Sequence, residues 1–572
     1  MSTDRADFPR HAAAWLVVGA ALVILGVVLA SWTQTRGGTV TDVRFKGADG
    51  TVLSALMYRP PGATVAHPAP GILAVHGYIN TRETQSPFAI EFARRGYVVL
   101  ALDQRGHGYS GGGATTKGFG GPEGLAYLRS LPFVDRTNIG LEGHSMGGWA
   151  VLAAAAARPN DYAAMVLEGS SVGPPFARAG TPRWPRNVAV VFSRFDEFAP
   201  LMWDVSRAAD VGTSMKLRAM FGTTGLVVAD EDYGSIARGT ARLLRIPFAT
   251  HPGDHLSTVA VADAADWFGR TLVGSQPRAA TDQIWWYKEA GTGFALIGLA
   301  ALVFGTFDLL LSLTKFEPRT IVVNPMPAVL GPRRTLWLLT TCVPAITYYC
   351  ALLVLPPPVA VSVVFPQAIT NWLMVWAVGN AAVALSLDRL MRQRPVSDIA
   401  IVPPILPSIA LAVAVVSVAY GVVSTAAVWN VDFRFWVVAV KPLSRAQLLP
   451  FFVYVIPFTV FVGVTFRALG IILPPDRGSV GRYLSAIGAL SLGFLILTGG
   501  QYALLFATGA LPLPFEALNV IVAIQFVPLL AGLACLAVYC DRRTSSFLPG
   551  AIIGGLFVTW YIVAGTAIQF TP

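Results

Sequence analysis

The residues best suited to chemistry lie in the stretch 138–159, NIGLEGHSMGGWAVLAAAAARP. A short apolar run leads into the pentapeptide GHSMG at 143–147, and an alanine-rich segment of helical composition follows. At such a strand-to-helix turn the serine hydroxyl projects above the end of the strand, and the flanking glycines let neighbouring backbone approach. With a base to remove its proton, Ser145 would be a nucleophile for acyl transfer.

Candidates for the base and for its partner acid follow Ser145 along the chain. The stretch SRFDEFAP carries Asp196, and THPGDH ends at His255, directly before a helical pattern. We expect His255 to accept the serine proton and Asp196 to orient its imidazole. His251 is the alternative base, and Glu197 is the alternative acid.

An oxyanion formed at Ser145 needs two preorganised N–H donors. The backbone N–H of Met146 is one candidate, because it opens the helix after the serine. The second candidate is the backbone N–H of Tyr78, which follows His76-Gly77. Four apolar residues near the acid, which either line an acyl pocket or bury an insertion, are Phe195, Phe198, Met202 and Trp203.

The elements that must position these residues are short, nearly continuous apolar runs alternating with helical patterns. The runs are 71–75, 97–102, 139–141, 163–167, 188–192 and 245–249, preceded by two β-rich runs, 39–45 and 52–58, around an Asp-Gly turn. Such alternation predicts a mostly parallel sheet with helices on both faces. The candidate residues all follow strands, at the carboxyl edge where ligands bind such sheets.

Residues 40–273 therefore resemble the α/β-hydrolase superfamily. The resemblance rests on G-x-S-x-G in its strand–turn–helix context, on His-Gly upstream, and on Asp then His downstream, in the order that the family uses. The opening VRFKGADGTVLSALMYRP is similar to esterase and peptidase-like hydrolases of this superfamily. The resemblance implies a serine hydrolase with the triad Ser145, Asp196 and His255.

The rest of the chain has a different character. The 572 residues are 54% hydrophobic and 13% charged, with a mean hydropathy of +0.58. Residues 12–31 and about eight later segments are apolar over the roughly 20 residues that a spanning helix needs. These segments lie near 292–313, 335–356, 366–387, 399–428, 448–473, 483–507, 517–540 and 547–568.

We therefore expect an α/β domain and an all-α transmembrane domain in one chain. The predicted order is a cytoplasmic N-terminus (1–11), an anchor helix (12–31), a hydrolase domain (39–275) and a membrane domain (290–570). Two segments beyond the minimal sheet, 171–186 and 200–244, are candidate lids.

Lysine and arginine concentrate in every second loop, which places those loops and the N-terminus in the cytoplasm. The hydrolase domain and the C-terminus then lie outside. Loop 429–447 is the exception, with Arg434, Lys441 and Arg445. A cleaved signal peptide at 12–31 is the alternative to an anchor, and it leaves the domain on the same side.

Other functional classes lack their signals. No H-E-x-x-H or clustered cysteine set indicates a metal, and GGGATTKG is not a phosphate-binding loop, so we expect no cofactor. The net charge of +10 lies largely in loops rather than in a nucleic-acid-binding patch.

The sequence thus predicts a membrane-bound hydrolase of carboxylic esters, with lipid-like or envelope esters as candidate substrates and membrane lipid as its surroundings. An acyltransferase or a peptidase using the same triad is an alternative. A transporter or signalling protein with a non-catalytic hydrolase-like domain is another.

Overall fold

The computed structural model describes residues 8–569, except for 315, 317–318, 323–326, 330–332, 355–359, 396–398, 403 and 474–477. Residues 1–7 of the predicted cytoplasmic N-terminus, and residue 570 of the predicted membrane domain, therefore lie outside the described residues.

An eight-stranded sheet forms the centre of the first half. Its strands are β1 (Thr39–Lys46), β2 (Val52–Arg59), β3 (Ala69–Val75), β4 (Val98–Leu102), β5 (Val134–His144), β6 (Ala164–Glu168), β7 (Val188–Val191) and β8 (Arg242–Arg245). They are ordered β1-β2-β4-β3-β5-β6-β7-β8, with β1 and β2 antiparallel and the other six parallel. Strands β4, β6 and β7 are buried along their whole length, as apolar strands covered on both faces should be.

Helices cover both faces of this sheet. In chain order the helices of the protein are α1 (Phe8–Gln34), α2 (Ser86–Arg94), α3 (Gly121–Ser130), α4 (Met146–Ala157), α5 (Ala199–Trp203), α6 (Met215–Phe221), α7 (Thr258–Thr271), α8 (Trp286–Leu313), α9 (Arg333–Val354), α10 (Ala368–Met391), α11 (Ile405–Ala427), α12 (Arg445–Ile472), α13 (Ser479–Thr508), α14 (Ala517–Thr544) and α15 (Leu548–Gly565). Helices α2 to α7 belong to the sheet domain. The predicted fold class, a mostly parallel sheet with helices on both faces plus a separate helical region, is confirmed.

The remaining long helices form that helical region. Among the described residues, eight helices are long and apolar enough to cross a membrane: α1, α8 and α10 to α15. Two short antiparallel strand pairs lie in the connections α8–α9 and α10–α11, namely β9 (Arg319–Val322) with β12 (Ile399–Val402) and β10 (Pro327–Val329) with β11 (Arg392–Pro395). A hairpin of β13 (Phe433–Phe435) and β14 (Val438–Val440) joins α11 to α12.

The two halves touch through the ends of the long helices. Ile568, just after α15, exchanges backbone hydrogen bonds with Gly106 and Ala114 at 2.8 and 2.9 Å. The ammonium of Lys288 on α8 donates to the hydroxyl of Ser86 at 2.7 Å. Trp436, at the tip of the β13–β14 hairpin, donates its indole N–H to the carbonyl of Pro252 at 2.7 Å. The helical region therefore packs directly against the carboxyl edge of the sheet.

This junction accounts for two of the three charges in the loop that departs from the charge pattern; the third, Arg445, is exposed at the start of α12. Arg434 and Lys441 are both about 95% buried. Arg434 pairs with Asp432 at 2.8 Å, and the Lys441 ammonium lies 5.1 Å from the ring centroid of Tyr109. These two charges pack one half against the other and are not exposed loop charges of the kind that the charge pattern counts.

Candidate active site

Ser145 lies at a strained turn between β5 and α4. Its backbone has φ 54° and ψ −122°, in a region that residues other than glycine rarely adopt. The turn requires small neighbours: a Cβ on Gly143 would come within 2.3 Å of the Gly147 carbonyl oxygen, and one on Gly147 within 2.0 Å of the Val75 oxygen. The surrounding backbone thus fixes the serine at the edge of the sheet, as expected from the pentapeptide.

An imidazole and a carboxylate pair beside this turn. Nδ1 of His251 lies 2.8 Å from Oδ2 of Asp196, whose other oxygen accepts from the backbone N–H of Phe198 at 2.8 Å. The pairing follows from strand register. The segments that follow β7 and β8 stay paired beyond the strands, with a parallel bridge between Phe195 and Thr250. The residues that come next, Asp196 and His251, are therefore neighbours.

The structure differs here from the sequence prediction, which paired Asp196 with His255. His255 lies one turn further along, with its ring 4.2 Å from that of His144 and 6.3 Å from that of Phe88. Among the described residues, neither of its ring nitrogens has a hydrogen-bond partner. It lines the same cavity as Ser145 and His251 but does not contact the acid. If the pairing of β7 with β8 is continued past the ends of both strands, Asp196 comes beside His251, the alternative base.

Two side chains hydrogen-bond to the backbone of His251, and a third side chain hydrogen-bonds to one of these two. Its N–H donates to Oε2 of Glu197 at 2.7 Å, and its carbonyl accepts from Nε2 of His144 at 3.1 Å. The other oxygen of Glu197 accepts from the hydroxyl of Tyr502 on α13 at 2.6 Å. Glu197, the alternative acid in the sequence analysis, therefore braces the main chain of His251 rather than its ring. No sequence pattern pointed to Tyr502, which lies about 300 positions away in an apolar helix.

The protonation states suit a general base. Burial lowers the pKa of His251 to about 4, so its imidazole is neutral near pH 7. Burial and the nearby Asp254 raise the pKa of Asp196 well above its usual range. With Nδ1 hydrogen-bonded to Asp196, the tautomer that a general base needs carries its proton on Nδ1 and leaves Nε2 as the acceptor. Burial and the neighbouring Asp196 raise the pKa of Glu197 to about 8.

The two predicted oxyanion donors line the same cavity as Ser145. Met146 begins α4, where the first backbone N–H groups have no partner within the helix. Tyr78 belongs to a loop that approaches the serine closely, since a Cβ on Gly77 would lie 3.0 Å from that of Ser145. The Tyr78 hydroxyl accepts from the side chain of Gln569, beyond α15, at 2.8 Å.

The four predicted pocket residues divide into two pairs. Phe198 and Met202 line the cavity beside Ser145. Phe195 instead packs its ring at 5.0 Å from both Phe248 and Phe506, in the junction with α13. Trp203 is fully buried and packs edge-on against Phe192 in the domain core. The prediction of a pocket role for Phe195 and Trp203 is therefore corrected, because both face away from the cavity.

The cavity has a volume of about 460 Å³, within the usual range for small-molecule sites. The two predicted lid segments each supply part of its wall: 171–186 provides Pro175 and Phe176, and 200–244 provides Leu201 and Met202. The rest of the wall comes from sheet-domain loops around Ser145 and His251, from Glu289 of α8, from the β13–β14 hairpin and from helices α10, α12, α14 and α15. The helical region, more than either segment, covers the serine.

Comparisons with known proteins match the sheet domain. The family model "Serine aminopeptidase, S33" matches residues 66–201. A monoacylglycerol lipase of Mycolicibacterium smegmatis is 36% identical over 116 residues, 18% of this chain and 38% of that protein. The chain thus spans well under half of that curated relative.

Solved structures are also similar over part of the chain. An α/β-hydrolase, GrgF, from Penicillium sp. sh18 is 25% identical over 23% of this chain and 45% of its own, with a TM-score of 0.21. An esterase from Pyrococcus furiosus is 16% identical over 41% of this chain and 91% of its own, with a TM-score of 0.30. With the eight-stranded sheet and the turn at Ser145, the family match shows that the chain carries a domain of the α/β-hydrolase superfamily.

Proposed function

We propose that this protein is a membrane-integral serine hydrolase that cleaves carboxylic esters, with Ser145 as nucleophile, His251 as general base and Asp196 as its partner. The observation that carries the proposal is the His251–Asp196 pair at 2.8 Å, in the cavity lined by the strained Ser145. The named activity of the Mycolicibacterium lipase supports an ester or lipid substrate.

The reaction follows from this arrangement. Nε2 of His251 takes the proton of Ser145 as Oγ attacks the ester carbonyl, and Asp196 stabilises the imidazolium that forms. The N–H groups of Tyr78 and Met146 receive the oxyanion. As the ester C–O bond breaks, the imidazolium returns its proton to the leaving alcohol, which leaves an acyl-serine. Water, deprotonated by the same imidazole, then attacks the acyl-serine; the bond to Oγ breaks, the imidazolium returns its proton to Ser145, and the carboxylic acid is released.

Two alternatives fit less well. A peptide substrate would bring amide groups into a largely apolar cavity, where polar groups without partners cost free energy. A non-catalytic sensor domain has no need for a neutral, acid-paired histidine beside a strained serine. An acyltransferase, which transfers the acyl group to another alcohol instead of water, follows the same steps as the hydrolase until the acyl-serine has formed.

Labelling with a fluorophosphonate tests the assignment, because this reagent phosphonylates only an activated serine. We expect the full-length protein in detergent to be labelled, and Ser145→Ala to show no labelling. The matched pair His251→Ala and His255→Ala separates the two histidines. We expect His251→Ala to lower ester hydrolysis by roughly 10⁴-fold or more, and His255→Ala to lower it by less than tenfold.

The opposite order of the two histidine variants would assign the base to His255 and overturn the role of His251. Equal labelling of the wild type and Ser145→Ala would contradict the assignment of Ser145 as the nucleophile. A melting curve for each variant shows whether a loss of activity reflects a loss of fold.

A further inference from the structure

The cavity beside Ser145 does not end at the sheet domain. Its wall continues along four long helices: α10 through Leu373, α12 through Phe458 and Phe461, α14 through Val522, and α15 through Ile562. One continuous space therefore joins the serine to the interior of the helical bundle.

The lining on α14 shows how deep the space reaches. Leu518, Val522, Leu529 and Leu533 recur at helical spacing on one face of this fully described helix. Fifteen residues separate the first and the last, which is about 22 Å along a helix. The hydrocarbon core of a bilayer is about 30 Å thick, so one lipid chain reaches about 15 Å. The space is deep enough for the full chain of a membrane lipid.

The chemistry of the wall changes with depth. At its sheet-domain end the cavity is lined by polar and charged groups, among them His251, Arg434 and Lys441. Among the described lining residues of α10, α12 and α14, no side chain is ionisable, and Gln525 is the polar exception. Its amide oxygen accepts from the hydroxyl of Tyr561. Such a wall suits an apolar chain and does not suit a path for ions, which would need charged or polar groups.

We infer that the helical bundle is the acyl-chain site of the enzyme: a long-chain ester binds with its carbonyl at Ser145 and its acyl chain inside the bundle, among α10, α12, α14 and α15. This inference rests on the proposed ester hydrolysis and adds the substrate class, an ester of a long-chain fatty acid. It also gives the helical region a role in substrate specificity, because the depth of the cavity inside the bundle then limits the length of the acyl chain.

A bulky side chain introduced into the cavity inside the bundle tests this site without changing Ser145. Val522 is buried and lines the cavity about 6 Å below Leu518, one helical turn down. We expect Val522→Trp to lower hydrolysis of p-nitrophenyl palmitate at least tenfold, and to leave p-nitrophenyl butyrate hydrolysis and fluorophosphonate labelling within twofold of wild type. Leu533→Trp, at the deep end, should affect palmitate less than Val522→Trp and leave butyrate unchanged.

The matched control is Val460→Trp on α12. Val460 is 52% exposed on the outside of the bundle, one residue from the lining Phe461. We expect its palmitate-to-butyrate ratio to equal that of the wild type. An unchanged ratio in Val522→Trp would overturn the acyl-chain site and leave ester hydrolysis standing. A wild-type protein that neither hydrolyses p-nitrophenyl butyrate nor is labelled by the fluorophosphonate would instead contradict the proposed function.

A second measurement uses the wild-type protein, so a misfolded variant cannot affect its result. A sixteen-carbon alkyl fluorophosphonate with a diazirine at its far end is bound to Ser145 of the full-length protein and irradiated. We expect photoadducts on peptides of α10, α12 or α14. Adducts confined to the sheet domain or to detergent would overturn the inference.

Discussion

At the scale of single residues, Glu197 links the two halves of the protein at the proposed base. One of its oxygens holds the backbone N–H of His251, and the other accepts from Tyr502 in α13. Loss of the carboxyl group would leave the buried N–H without a partner, which costs about 1–3 kcal/mol. The side chain that holds the backbone of the histidine is thus itself held by the helical region.

This carboxyl group should make stability depend on pH. Its pKa in the folded protein is about 8, above the ordinary value of 4.5 for a glutamate side chain. Between these two values the folded protein holds a proton that the unfolded chain releases, so stability falls as pH rises, by at most about 1.4 kcal/mol per pH unit. Glu197→Gln carries no such proton and can still accept from His251. We expect its melting temperature in detergent to fall less than that of the wild type between pH 5 and 8.5.

Glu231→Gln is the matched control for this measurement, because Glu231 is exposed on the sheet domain. Its melting temperatures should follow those of the wild type at every pH. A Glu197→Gln curve with the same slope as the wild type would show that the carboxyl group has the same pKa in the folded and unfolded states.

At the scale of elements, local pattern was enough for most of the sheet and for the turn at Ser145. The buried strands are short apolar runs bounded by turns, and the glycines at 143 and 147 mark a position where no side chain fits. The proposed base was harder to predict, because a shift of four residues decides between His251 and His255. That choice depends on how far β7 and β8 stay paired, which single-strand patterns do not contain.

Contacts between distant elements were beyond local reasoning altogether. Tyr502, Trp436 and Gln569 approach the site from positions roughly 180 to 490 residues away from their partners. Each lies in or beside a segment that reads only as an apolar helix or its loop. Their contacts arise from how the helical region packs on the sheet domain, and no spacing in the sequence encodes that arrangement.

The pairing of α1 with α8 depends on glycine at seven-residue spacing. Gly19 and Gly26 of α1 face Gly298 and Gly291 of α8, and a Cβ on Gly26 would lie 2.4 Å from the Gly291 carbonyl oxygen. Small residues of this kind let helix backbones approach within a membrane. We expect Gly26→Leu to destabilise the protein by about 3 kcal/mol or more, because a backbone atom is the obstacle.

Size-exclusion chromatography and melting curves in detergent measure this effect. The control is Gly463→Leu in the middle of α12, where no described atom lies within 4 Å of an added Cβ. That variant should elute and melt like the wild type. A Gly26→Leu protein as stable as Gly463→Leu would show that α1 does not pack closely against α8.

At the scale of the whole molecule, the sheet domain and the ends of alternate helices lie on one side. The C-terminal end of α1, the N-terminal end of α8, the β13–β14 hairpin and the residues after α15 all contact the sheet domain or one another. Loops of this side should therefore share one compartment, and the strand pairs β9–β12 and β10–β11 should lie in the other.

The charge distribution predicts which compartment each side occupies. With Arg434 and Lys441 buried in the junction, the Lys and Arg residues that are free to act as topology signals lie mainly in the opposite loops. We expect a reporter fused within 389–394 to read cytoplasmic and one at the C-terminus to read external. Arg434→Gln should leave both readings unchanged while lowering the melting temperature, because it leaves Asp432 without its closest partner. An external reading within 389–394 would place the sheet domain in the cytoplasm, and a reversal on Arg434→Gln would make that buried arginine a topology signal after all.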